Sequence, residues 1–133
     1  MSSTERSTSG GVTTGLAEIE ILDDEGIRIV AVTGELDISN VGALKQVSFG
    51  TSNQTLGVVL DLSPTAYIDS STLGLLFNLS QGLHRRGQVL CVVSTPDSNV
   101  RRVLELAGFD DEHTYERREA AIAAIRDAVP LHE

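Results

Sequence analysis

The residues of this chain best equipped for chemistry stand together in Tyr67-Ile68-Asp69-Ser70-Ser71-Thr72-Leu73-Gly74-Leu75-Leu76. An aspartate and three hydroxyls separate strand-like residues from a run of apolar helix formers. Two tasks suit them. Asp, Ser and Thr side chains accept hydrogen bonds from the free backbone N–H groups of a helix's first turn, so the tetrapeptide can cap a helix. One residue is enough for that. A hydroxyl in a first turn is also oriented outward with the positive end of the helix dipole behind it, where a phosphate is electrostatically tolerated. Phosphorylation there leaves the fold intact and changes the surface, adding about −1.5 to −2 charges and three acceptor oxygens. On these residues alone both tasks stay open.

The rest of the chemical inventory is thinner. Asp61 closes the apolar run Leu56 to Leu60, at the end of an expected strand, where a phosphohydrolase nucleophile could stand. Such an aspartate wants a metal and a neutralising cation, and Lys45 is the only lysine in the chain. His84, His113 and His132 follow no metal-ligand spacing, and no HExxH, Ser/His/Asp spacing or Gly-rich phosphate loop occurs. No catalytic residue, metal or cofactor is expected. Cys91 is the only cysteine and lies in the apolar run Val89 to Val93, which implies a buried, inert thiol.

The elements that must position the tetrapeptide follow from periodicity. Glu18 to Leu22 and Ile27 to Leu36 read as strands around the turn residues Asp23-Asp24-Glu25-Gly26, which predicts an antiparallel hairpin. In the second strand Ile27, Ile29 and Ala31 share one face and Arg28, Val30 and Val32 the other, so pattern alone does not choose the core face. Ile38 to Phe49 carries Val41, Leu44 and Val47 or Ser48 at helical spacing, with Ser39 or Asn40 as cap. Leu56 to Leu60 fits a strand covered on both faces. From the motif onward Leu73, Leu76, Phe77, Ser80 and Leu83 form an inward stripe that stops at Gly87.

Val89 to Val93 repeats the covered strand. Val100, Val103, Leu104 and Ala107 then mark a helix ended by Gly108. His113 to Tyr115 suits a last short strand, and Glu119 to Val129 a final helix with Ile122, Ile125 and Val129 inward. Strands alternating with helices call for right-handed crossovers. The expected fold is α/β: a small, mixed, mostly parallel sheet of four or five strands with an N-terminal antiparallel hairpin, packed with about four helices.

At 133 residues the chain suits one domain. Residues 1–16, MSSTERSTSGGVTTGL, lack apolar periodicity and are expected to be a flexible tail, with residues 17–133 as the single domain. They hold no apolar core of a secretory signal, and no run of about 18 apolar residues follows, so a cytoplasmic location is the default expectation. The net charge of −9 repels phosphate backbones and anionic lipid, which argues against nucleic acid or membrane as partners.

Three blocks carry a family resemblance: Thr33-Gly34-Glu35-Leu36-Asp37; Val58-Val59-Leu60-Asp61-Leu62-Ser63 with Tyr67 to Gly74; and Val100-Arg101-Arg102-Val103-Leu104-Glu105-Leu106-Ala107-Gly108-Phe109. In order and spacing they resemble the anti-sigma factor antagonists of the STAS domain class, over about Ala17 to Val129. The resemblance implies a non-enzymatic, partner-switching regulator of transcription. Its unphosphorylated form binds an anti-sigma factor serine kinase of the GHKL type and frees a sigma factor. Phosphorylation ends that binding and a serine phosphatase restores it.

The family's modified residue corresponds to Ser70, with Ser71 and then Thr72 as alternatives. Asp37, Asp69, Ser70, Ser71 and Thr72 correspond to the partner-binding surface. Thr72 stands where the family usually has glycine, so its branched side chain is expected to narrow partner choice. A STAS-type scaffold or regulatory module with a non-sigma partner is the alternative, and a phosphohydrolase using Asp61 a remote one.

Overall fold

The computed structural model describes residues 7–51, 54–109 and 111–128. Among them lie seven strands and four α-helices: β1 Ser7–Thr14, β2 Ala17–Asp24, β3 Ile27–Leu36, α1 Val41–Phe49, β4 Gly57–Asp61, β5 Thr65–Ile68, α2 Ser70–Arg85, β6 Val89–Val93, α3 Asn99–Leu106, β7 Thr114–Tyr115 and α4 Arg118–Ala128. The sheet runs β1-β2-β3-β4-β6-β7, with β5 paired to the far end of β3. The pairings β1–β2 and β2–β3 are antiparallel, and β3–β4, β3–β5, β4–β6 and β6–β7 are parallel. The mixed, mostly parallel α/β architecture and its four helices are as the periodicity implied.

β3 is apolar on both faces because both are covered. Val30 and Val32 join Val58, Leu60, Leu90 and Val92 in a core closed by Leu44 of α1, Leu75, Leu76, Leu79 and Leu83 of α2, and Val100 and Leu104 of α3. Ile27 and Ile29 join Val59, Cys91 and Val93 under Ala121 and Ile125 of α4. β4 is buried at all five positions, as a central parallel strand must be. Burial pushes the Cys91 thiol up to about 11, so it stays protonated and unreactive at neutral pH.

Three expectations are corrected. The sheet has more than four or five strands. Residues 7–14 are not tail but strand β1, in continuous register with β2 from Ser7↔Asp24 to Thr14↔Ala17; residues 1–6 lie outside the described set. This edge strand pairs through its backbone, and residues 10–14 of it bury little, so it leaves no apolar alternation in the sequence. The inward stripe of α2 is Thr72, Leu75, Leu76, Leu79 and Leu83, while Phe77 remains 39% exposed and Ser80 half-buried. In α4, Ala121 and Ile125 are buried and Ile122 packs at their margin; Val129 lies outside the described residues.

Candidate functional site

Backbone pairing assembles the site. β5 lies against the end of β3 with Leu36 opposite Ile68, and the Asp69 N–H donates to the Leu36 carbonyl at 3.2 Å. The strand leading to Asp37 and the strand leading to Asp69 therefore finish side by side. Two of the sequence blocks, separate in the chain, meet at one sheet end.

Asn40 secures the Asp37 side. Its Oδ1 accepts from the Asp37 N–H at 2.9 Å, and its Nδ2 donates to the carbonyls of Glu35 at 2.9 Å and Thr14 at 3.3 Å. It is fully enclosed and ties the β1–β2 turn to the loop before α1. The sequence suggested Ser39 or Asn40 as the cap of α1; Asn40 stands at the N-cap position, but makes no side-chain cap bond, because its amide bonds backward instead. The Ser39 hydroxyl and backbone N–H both donate to Asp37 Oδ1 and hold its carboxyl below the usual carboxylate range. A fixed negative charge is therefore kept beside the start of α2.

At that start, Asp69 takes the capping task alone. Its backbone is extended, and its Oδ1 accepts from the Thr72 N–H at 3.0 Å and from the Thr72 hydroxyl at 3.2 Å. Ser70 and Ser71 make no side-chain hydrogen bond among the described residues. Ser70 is exposed, Ser71 half-buried, and Thr72 fully buried. As the third helical residue, Thr72 turns toward the sheet. Its hydroxyl is not presented for modification, and its branched side chain does not crowd the outer surface. Both expectations for Thr72 are thus corrected by burial, while Asp37, Asp69, Ser70 and Ser71 remain grouped at one rim.

Asp61 serves another purpose. It is 6% exposed; its Oδ1 accepts from the N–H and hydroxyl of Ser63, and its Oδ2 accepts from Arg118 Nε and Nη2 at 3.1 and 2.9 Å. The carboxylate pins the turn between β4 and β5 to the first residue of α4. Both oxygens face protein donors, so this geometry lends the phosphohydrolase reading no support. Surface hollows of about 330, 360 and 450 Å³ are lined by other segments and do not contain Ser70.

An exposed hydroxyl thus stands on a capped helix start, at the rim of a mixed α/β sheet. The chain belongs to the STAS domain family, whose model matches residues 18–121. It is similar to an anti-sigma factor antagonist from Mycobacterium paratuberculosis, at 25% identity over 96% of this chain and 100% of that one, with a TM-score of 0.69.

The fold is shared more widely. The Bacillus cell fate determinant SpoIIAA in its phosphorylated form matches at 16% identity over 90% of this chain and 100% of that one, with a TM-score of 0.59. The murine anion transporter Slc26a9 matches at 20% identity over 79% of this chain and 18% of that one, with a TM-score of 0.66. These two likenesses concern the fold alone. No helix among the described residues is long and apolar enough to cross a membrane.

Proposed function

We propose that the chain is a cytoplasmic anti-sigma factor antagonist switched by phosphorylation of Ser70. In its unphosphorylated form it binds an anti-sigma factor serine kinase of the GHKL type, and a sigma factor is released. The Ser70 Oγ attacks the γ-phosphorus of ATP held by that kinase, the hydroxyl proton passes to a base of the kinase, and ADP departs. A serine phosphatase later hydrolyses the ester to serine and inorganic phosphate. The chain is a substrate here, not a catalyst. Asp37, Asp69, Ser70 and Ser71 contribute to the docking surface.

The observation that carries this reading is the division of labour in the tetrapeptide. Asp69 caps the helix and Thr72 is buried, which leaves Ser70 exposed with no structural task. The full-length match to an anti-sigma factor antagonist supports the same reading. Repulsion is large enough to work the switch without refolding. One added charge about 6 Å from an acidic group, at an effective dielectric near 20, costs on the order of 3 kcal/mol. That is roughly a hundredfold in affinity.

The test uses the GHKL-type kinase recovered with the protein from its native cells. Wild type incubated with this kinase and ATP acquires phosphate, mapped by mass spectrometry to Ser70. Ser70→Ala binds the kinase as tightly as unphosphorylated wild type, and Ser70→Asp about a hundredfold more weakly, measured by calorimetry. Equal affinities for the two variants would sink repulsion as the mechanism, and absence of phosphate from Ser70 would sink the assignment.

A further inference from the structure

α2 holds two interior glycines, and the fold requires only one of them. A Cβ on Gly82 would lie 2.6 Å from Cζ of the Phe49 ring, so the packing of α1 on α2 demands glycine there. A Cβ on Gly74 would meet nothing within 4 Å, and the residue is exposed. Glycine is the poorest helix former after proline. Neither packing nor helix stability accounts for its presence at position 74.

Its place on the helix suggests what does. Residues 70, 74 and 77 follow i, i+4, i+7 spacing and share one face. At 1.5 Å rise per residue, Gly74 and Phe77 stand about 6 and about 10 Å along the axis from Ser70. Phe77 is partly exposed and held edge-on to Phe109, with ring centroids 5.4 Å apart. Leu73 is half-buried beside it. The side chain absent at Gly74 thus leaves a shallow notch, open to solvent, on the face between Ser70 and Phe77. A specific interface covers about 800 Å² per partner, a patch roughly 16 Å in radius. A kinase whose active site reaches Ser70 Oγ therefore covers this notch.

Resting on the function proposed above, we infer that an apolar side chain of the serine kinase seats in this notch against Leu73 and Phe77, and that residue 74 lacks a side chain to admit it. The occupant is the kinase because any enzyme that phosphorylates Ser70 must cover this face.

The experiment measures melting temperature, affinity for the recovered GHKL-type kinase, and kinetics of Ser70 phosphorylation in Gly74→Ala, Phe77→Ala and Phe77→Leu. Gly74→Ala is expected to melt roughly 3 °C higher, to bind at least tenfold more weakly, and to raise KM with kcat unchanged. Phe77→Ala is expected to weaken binding similarly, and Phe77→Leu to recover most of it. Undiminished affinity of Gly74→Ala, with Ser70 still phosphorylated, overturns the notch and leaves the switch standing. A variant that binds weakly but also melts lower overturns it too, since the defect is then one of folding. Failure of the kinase to phosphorylate wild-type Ser70 removes the switch and the notch together.

Discussion

The inner and outer faces of α2 obey different rules. Thr72, Leu75, Leu76, Leu79 and Leu83 are buried on the sheet, and Gly82 makes room for the Phe49 ring. Every residue on that side has a packing reason. The outer face carries an exposed serine, an exposed glycine that touches nothing, and a phenylalanine left partly in solvent. A helix selected for stability alone would hold alanine or a charged residue at position 74 and a polar one at 77. The contrast teaches that folding accounts for one side of this helix and leaves the serine and the glycine of the other without a structural reason.

Substitutions on the two faces should therefore separate, and the largest effect belongs inside. Leu79 is fully enclosed. Leu79→Ala should lower unfolding free energy by about 2–5 kcal/mol, through lost burial and the cavity left behind. Urea denaturation measures this as a shifted midpoint with unchanged slope. A loss under about 1 kcal/mol would show that the inner face is not packed as described.

The two glycines give a sharper contrast, because the same chemical change should act with opposite signs. Gly82→Ala drives a methyl to within 2.6 Å of Cζ of the Phe49 ring, which must shift to admit it. Overpacking of this kind costs about 1–3 kcal/mol. Gly74→Ala adds a methyl to open solvent and should stabilise by about 0.5–1 kcal/mol. Denaturation of the two variants under one set of conditions tests the pair. Equal signs would break the comparison between the faces.

How far the sequence revealed this arrangement depends on the range of each interaction. The covered strands β4 and β6 were legible because burial on both faces writes a continuous apolar run. α2 was legible as a helix, but its stripe was misplaced. Thr72 reads as polar, yet it turns inward and satisfies its hydroxyl on Asp69. Phe77 reads as core, yet it stands at the margin, edge-on to Phe109.

β1 escaped because an edge strand needs backbone partners and little apolar surface. Asp61 and Arg118 lie 57 residues apart, so no local pattern could announce their pairing. Of the site, the motif marked Ser70 and its neighbours. That Asp69 is the residue relieving Ser70 of capping required the geometry.

Asp69→Asn supplies the smallest expected effect and the most delicate separation, and Asp69→Ala is its reference, since the residue stands where the two faces join. Asp69→Ala removes the acceptor of the Thr72 N–H and of a hydroxyl that is fully buried, so a loss of about 1–2 kcal/mol is expected. Asp69→Asn keeps a capping oxygen of the same reach and should change stability by only a few tenths of a kcal/mol. It also removes a negative charge next to Ser70. If Asp69 acts only as a cap, the asparagine variant binds the kinase like wild type. If its carboxylate also meets the kinase, that variant melts like wild type and binds several-fold more weakly, which places recognition as well as folding on the residue where α2 begins.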